Sequence, residues 1–415
     1  MSGVLIVTWL GGGASQPAIG LGRELSARGH QVRILAPARY AARIAAAGCE
    51  HAAHPAHAEF QASHGRAMED QPGFTTATFF GPWLADAVTR QIRARRPDVV
   101  IIDYLLRSAL CAAEAEGVPR VILMHMAYQF HAGLSGDPDA PWGWRWQYRQ
   151  VNQGRAAAGL PLLPAGPEPL SVALARRADR TLVTAPPAFD GWPDPPPGVV
   201  HVGPIAEETA PPPWVPPWPG GDGRPLIVVT LGTTYMHQED LLRRILGALA
   251  GLSARVLVLT GLELGPAEVP GGPGVCTEAY VPHAAVLPQA AVVISHAGLG
   301  SLLEAFRAGV PSVCLPLGRD QAGNAAAAAG QDAAIALPSS APASQIRAAI
   351  THALHSPALR TGAARMASAL AACGGAAAAA DQVEQIMRPA DRPGMQGAAS
   401  MPLAGAASFR PTVWP

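Results

Sequence analysis

Short apolar runs alternate with amphipathic stretches along most of the chain. Val4–Thr8 is a buried-type apolar run, followed by the glycines Gly11–Gly13 and then a helical pattern from Pro17 to about Arg28 that carries Ile19, Leu21 and Leu25. Gly29 stands where a helix C-terminal cap is expected, and Val32–Leu35 reads as the next strand. The cycle recurs as a strand at Val99–Ile102, a helix over Leu106–Glu116, a turn at Gly117–Pro119 and a strand at Val121–Met124. It restarts with a strand at Leu226–Thr230, a turn at Gly232, a helix over Gln238–Leu249 and a strand at Arg255–Thr260, with further strands at Ala291–Ser295 and Ser312–Leu315. Strand–helix alternation of this kind predicts parallel sheets covered on both faces.

Residues 186–225 interrupt the rhythm. Prolines at 186–187, 195–197, 211–213 and 216–217 crowd this stretch, which reads as a semi-rigid connection with no helix and one short strand-like piece, Val199–Val202. The boundaries that follow are a first α/β domain over 1–205, a Pro-rich linker over 206–224, and a second α/β domain over 225–387. A Pro/Gly/Ala-rich tail over 388–415 reads as disordered. Two such domains turn their strand ends toward one cleft, where ligands of α/β sheets bind.

Composition then narrows the chemistry. The 415 residues carry 30 acidic and 30 basic side chains, and the sequence contains no lysine. GC-rich coding accounts for that bias, but its consequence stands. A Walker-type P-loop, a protein kinase, a pyridoxal-phosphate enzyme and a Schiff-base aldolase all need a lysine and are excluded. Bound phosphate must instead meet arginine, histidine, hydroxyls and helix ends. Zero net charge without a basic block argues against nucleic acid. Five dispersed cysteines read as reduced thiols in a cytosolic protein. Val4–Leu10 reads as a strand and not a signal peptide, and no apolar run of about 18 residues predicts a membrane span. A dinucleotide fingerprint is missing, since Gln16 replaces its last glycine, and there is no G-x-S-x-G.

The densest chemistry lies between Tyr280 and Asn324. His296-Ala297-Gly298-Leu299-Gly300-Ser301 forms a glycine-containing turn into a helix, with Glu304 three residues beyond Ser301 on the same face. Such a helix N-terminus is an anion site that needs no lysine. Glu304 is placed to accept from vicinal ribose hydroxyls. Asp320-Gln321 follow the strand Ser312–Leu315 and can hold sugar hydroxyls, while Tyr280 could stack on a base.

These residues, with the Tyr280-Val281-Pro282-His283 segment, Gly309-Val310-Pro311 and the Gly29-His30 turn, resemble the nucleotide-sugar signature of GT-B glycosyltransferases. The likeness is greatest to the family-1 enzymes that decorate bacterial natural products, and it runs over nearly the whole chain. The resemblance implies a GT-B fold, with two Rossmann-like parallel-sheet domains facing a cleft. It places His296, Gly298, Gly300 and Ser301 at a diphosphate, Glu304 at the ribose, Tyr280 and Val281 at the base, and Asp320 and Gln321 at the sugar. Gly232 and Thr233 resemble the family's second phosphate contact. It further implies inverting transfer of a hexose, often a deoxyhexose, from a TDP- or UDP-sugar to a polyketide, aromatic or peptide aglycone. The nucleotide sugar serves as co-substrate, with no cofactor and no metal, and a homodimer is compatible with the family. Arg319 would join His296 and the helix N-terminus at the leaving diphosphate.

The first half departs from the family. The histidine that often serves as base, three residues before the helix-starting proline, is replaced by Ala14 before Pro17. Asp103, which in the family orients that histidine, could then be the base itself or merely cap the next helix. His125, ending the strand Val121–Met124, is a second candidate base, an acceptor ligand or a core-edge histidine. An acidic phenolic acceptor, or N- or C-glycosylation, would relax the need for a base. Gly13, Ala14, Trp142 and Trp144 are the candidate acceptor contacts, with Trp142, Trp144, Trp146 and Tyr148 read as an alternating aromatic run. His51, His54, His57 and His64 are spaced as metal ligands could be, but Pro55 interrupts any helix and the run reads as loop. Besides a transferase, Ala14 leaves open a non-catalytic nucleotide-sugar-binding or partner protein, and the architecture leaves open a sugar-nucleotide epimerase.

Overall fold

The structure, a computed structural model, describes residues 1–54, 73–128, 138–139, 143–164, 166, 169–191, 195–206, 213–218, 223–232, 234–261, 269, 272 and 274–388. The first half builds a seven-stranded sheet from β1 (Gly3–Val7), β2 (Gln31–Ala36), β3 (Glu50–Ala53), β4 (Val99–Asp103), β5 (Arg120–Met124), β6 (Arg180–Val183) and β7 (Val199–His201), in the order β3-β2-β1-β4-β5-β6-β7. The second builds a six-stranded sheet from β8 (Leu226–Thr230), β9 (Arg255–Leu259), β10 (Val275–Glu278), β11 (Ala290–Ser295), β12 (Ser312–Cys314) and β13 (Ala334–Ala336), in the order β10-β9-β8-β11-β12-β13. Every pairing in both sheets is parallel. The central strands β4, β5 and β8 are buried along their full length, as a sheet covered on both faces requires. The expected α/β class and the GT-B architecture are therefore present.

Six helices carry the argument: α1 (Gly12–Ala27), α2 (Arg107–Ala115), α3 (Leu299–Arg307), α4 (Gln321–Gly330), α5 (Pro357–Ala371) and α6 (Gly375–Met387). α1 starts five residues before the expected Pro17, inside the glycine run. Gly11 is its extended N-cap, and Ala14 and Ser15 both donate their backbone N–H to Gly11 O. Pro17 lies inside α1, at its sixth position, and supplies no N–H to the helix ladder.

Three expectations need correcting. The stretch 186–206, read as free of helix, contains one helical turn at Pro187–Asp190 with its proline at the start, while the expected strand-like piece is β7, a member of the first sheet. The aromatic run, read as alternating, lies on a helix from residue 144 on: Trp144–Ala157 buries Tyr148 and leaves Trp144 and Trp146 half-buried. α6, read as the end of the second domain, packs on the first: Ala379, Ala380, Val383 and Ile386 join the cluster of Ile6, Ile19, Leu21 and Leu25. Arg28, the C-cap of α1, reaches both Asp381 and Glu384 of α6, at 2.6 and 3.4 Å. By length and composition Pro357–Met387 is apolar enough to cross a bilayer. It is, however, two helices separated at Ala372–Gly374, whose inward faces belong to the two clusters beneath the sheets. Residues 389–415 of the tail lie outside the described residues.

Beneath the cleft one apolar cluster joins the halves. It includes Val7, Trp9, Ile102 and Met124 of the first and Leu299, Leu302, Phe306 and Cys314 of the second. Phe189 meets Phe306 across it, with ring centroids 6.4 Å apart.

Candidate active site

The first wall of the cleft is made by the ends of β1, β4 and β5. In the parallel register Asp103 lies beside Leu123, so His125, two residues on, points to the same side as Asp103's neighbour and reaches back to it. Nδ1 of His125 and Oδ2 of Asp103 are 2.6 Å apart. The carboxylate is 1% exposed, and its other oxygen accepts the Trp9 indole N–H at 3.2 Å and the Leu105 backbone N–H at 3.0 Å. Asp103 does not cap α2, whose N-cap is Leu106 without a side-chain bond. With Nδ1 bonded to the carboxylate, the imidazole keeps Nε2 as its acceptor.

Burial opposes charging of His125. The charge and hydrogen bond of Asp103, together with the charge of Asp320 from the second half, outweigh it and raise its pKa above the ordinary 6.5. His125 thus lies within reach of the charge of Asp320 in the second half. Gly13 is exposed and supports the ring: a Cβ there would lie 3.4 Å from Cδ2 of His125. Ala14 is buried with Leu5, Val7 and Trp9, so its methyl does not line the cleft as expected of an acceptor contact. Trp144 packs against the core, with the Arg145 guanidinium 5.1 Å over its ring. Trp142 lies outside the described residues.

The second wall centres on the N-terminus of α3. Gly298 is its N-cap, Gly300 and Ser301 occupy its first turn, and no side chain caps it. A Cβ on Gly300 would meet nothing within 4 Å, which leaves open space at the first turn. His296 is wedged between two glycines. A Cβ on Gly298 would lie 2.6 Å from its Nε2, and one on Gly232, where φ is +92°, would lie 2.9 Å from it. The His296 ring is buried, and its Nδ1 meets no geometrically sound hydrogen-bond partner among the described residues. Burial, with Arg319's charge adding to it, lowers its pKa to about 4, so it stands as a neutral imidazole. His283, 3.4 Å from Thr230 Oγ1, is likewise lowered to about 4 by burial.

Around this centre the other expected donor residues are distributed unevenly. Glu304 is half-buried and 3.4 Å from Arg307 Nε. Tyr280 is 62% exposed, as a stacking platform needs to be. Val281 is packed in the cluster with Val286 and Leu287, so any contact with a base would come from its backbone. Asp320 accepts from Asn324 Nδ2 at 2.8 Å. Gln321 is buried and caps its own loop: Oε1 accepts from Leu317 N at 2.8 Å and Gly318 N at 3.1 Å, and Nε2 faces Met236 Sδ. Its amide oxygen is therefore committed to the loop that presents Asp320, and not aimed at a sugar as expected. Thr233 lies outside the described residues.

Asn324 and Trp9 were not singled out in the sequence. Asn324 donates to both Asp320 and the carbonyl of Ala297, whose φ of +65° is rare for alanine. It thereby ties the His296 turn to the Asp320 loop. Its place four residues after Asp320, on the first turn of α4, is the only sequence signal for it. Of the four histidines spaced as metal ligands could be, His51 bonds Ala36 O and His54 stacks edge-on to Trp83, while His57 and His64 lie outside the described residues. Among the described residues no group of three or more His, Cys, Asp or Glu could hold a metal ion.

Comparison with known proteins agrees with this geometry. The model of the erythromycin biosynthesis protein CIII-like C-terminal domain matches residues 243–386, the half that carries α3 and Asp320. The glycosyltransferase family 4 model matches residues 11–157, which contain Asp103 and His125. 4'-Demethylrebeccamycin synthase of Lentzea aerocolonigenes is 27% identical over 92% of this chain and 99% of its own. The oleandomycin glycosyltransferase of Streptomyces antibioticus is 29% identical over 75% of this chain and 74% of its own. The chain is a glycosyltransferase, similar over most of its length to enzymes of natural-product biosynthesis. Solved structures agree on the fold of the enzyme. The calicheamicin glycosyltransferase CalG4 superposes with a TM-score of 0.72 at 22% identity, covering 93% of this chain and 98% of its own. The glycosyltransferase VinC, solved with dTDP, has a TM-score of 0.63 at 18% identity, covering 93% of this chain and 99% of its own.

Proposed function

We propose that the enzyme transfers a deoxyhexose from a TDP- or UDP-sugar to a hydroxyl of a natural-product aglycone with inversion, using His125 as general base and Asp103 to orient it. The observation that carries this reading is the 2.6 Å contact between His125 and Asp103. An alkyl hydroxyl is a poor nucleophile until its proton has an acceptor. His125 Nε2 takes that proton as the oxygen–carbon bond to the anomeric centre forms. The bond from that carbon to the diphosphate oxygen breaks, and its electron pair leaves with the diphosphate. Base and leaving group sit on opposite walls, which favours displacement from the face opposite the diphosphate and hence inversion.

The developing charge on the diphosphate meets the N–H groups of Gly300 and Ser301, the positive end of α3 and the His296 imidazole. No lysine is needed for this, and none exists. Glu304 holds the ribose, Tyr280 the base and Asp320 the sugar. Support for a thymidine nucleotide comes from the dTDP bound to the related fold of VinC. We expect the donor to be a co-substrate with no resident cofactor or metal, so activity should survive EDTA.

Incubation with TDP- and UDP-sugars and an aglycone panel, read by mass spectrometry, tests the reading. It requires a mass gain of one deoxyhexose and a product anomer opposite to that of the donor. Retention of configuration would refute the displacement, and donor hydrolysis with no acceptor product in the whole panel would refute the transfer.

A further inference from the structure

We propose that Trp9 is a positioning residue for the transfer, its indole N–H holding the Asp103 carboxylate in the orientation that presents His125 to the acceptor. The inference rests on the reading of His125 as the base. The two carboxylate oxygens of Asp103 are divided between distinct partners. Oδ2 belongs to His125, while Oδ1 accepts from Trp9 Nε1 at 3.2 Å and Leu105 N at 3.0 Å. The Leu105 N–H comes from two residues along the same chain and moves with the Asp103 backbone. Trp9 follows β1, the strand paired with β4, so its bond ties the carboxylate to that neighbouring strand. A carboxylate turns readily about its last bond, and a donor anchored elsewhere stops that turn.

The indole is itself held on two sides. It meets Phe79 edge-on, with centroids 4.8 Å apart and planes at 90°. It also fills the space that a side chain at Gly11 would need, since a Cβ there would lie 2.9 Å from the ring. Gly11 is thereby matched to Trp9 as well as to the start of α1. A buried indole needs some acceptor. Here its acceptor is the carboxylate that already binds the catalytic imidazole, and a donor on that carboxylate draws off part of the negative charge that His125 feels. The other charged groups in reach are Asp320 of the second half, whose charge acts on His125, and Arg107 of α2, whose charge acts on Asp103.

The test is the pH profile of kcat/KM in W9F, which keeps a ring against Phe79 and loses the N–H. Transfer should fall about tenfold at neutral pH, and the acid limb should move up by about half a pH unit as the carboxylate regains charge. TDP binding should be unchanged. F79L loosens the same packing without removing the N–H and should keep the wild-type midpoint. A W9F midpoint equal to wild type would overturn the proposal. His125→Ala is measured alongside: a limb that persists there overturns the assignment of the base, whereas a limb lost there but unmoved in W9F overturns only the role of Trp9. Should W9F not fold, wild-type protein labelled with indole-15N tryptophan serves instead. An indole resonance titrating at the midpoint of the acid limb is expected, and no such titration among the nine tryptophans would overturn the proposal.

Discussion

The departure at Ala14 is offset one strand further along. An imidazole is still supplied against the Gly-rich turn, but it comes from the end of β5 and not from the turn itself. Both partners could be read individually as polar residues ending apolar strands. Their pairing could not, because it depends on β4 and β5 lying side by side in a register that brings residues 103 and 125 together. Nor could the role of Asp103 be read: three donors and near-complete burial make it an orienting anion, which the sequence left undecided between base and helix cap. Asp103→Asn should therefore lower kcat by 100-fold or more, on the order expected for a mis-oriented base. TDP affinity, measured by calorimetry, should stay within about twofold of wild type. A kcat close to wild type in this variant would mean that the carboxylate does not orient the base.

The donor wall was the more legible element. A strand, a glycine turn and a helix start follow from spacing alone, and the structure adds why the glycines are there. Gly298 and Gly232 flank the His296 ring at distances no Cβ could share, so their role includes making room for an imidazole. Gly298 has an ordinary negative φ, so alanine there tests the steric point without backbone strain. Gly298→Ala should displace the ring and weaken TDP binding by roughly tenfold with little change in melting temperature, as followed by titration calorimetry and thermal unfolding. Less was legible of the Gln321 amide, because its use as an internal loop cap depends on where Leu317 and Gly318 place their N–H groups. The start of α1 was missed for a related reason: glycines permit a loop without requiring one.

The return of α6 across the first domain was invisible in the sequence, which shows an amphipathic helix but not the surface it covers. Truncation after Gly374 should cost on the order of 5 kcal/mol through the lost burial of Val383, Ile386 and the two alanines. Proteolysis should then open the first half, although the deletion lies at the end of the second. Acid should act on the other half. His283 and His296 are held neutral with pKa values of about 4, below the 6.5 of an unfolded chain. The unfolded state therefore binds more protons between pH 6.5 and 4, and stability falls as pH drops through that window. The loss is on the order of 3 kcal/mol for a fully buried imidazole. His283→Gln should flatten the melting-temperature decline between pH 7 and 5, and an unchanged slope would mean that this histidine is not held neutral.

His125 behaves in the opposite sense, and catalysis reads it out. Its pKa is raised, and only the neutral ring can accept a proton, so transfer should rise with pH through a midpoint above 6.5. The decisive measurement is kcat/KM against pH at saturating TDP-sugar for the wild-type enzyme and His125→Ala. The wild type should show that rising limb, and His125→Ala should lose at least about 100-fold at its plateau together with the limb. A His125→Ala enzyme that keeps the wild-type rate and the same limb would show that the proton goes elsewhere.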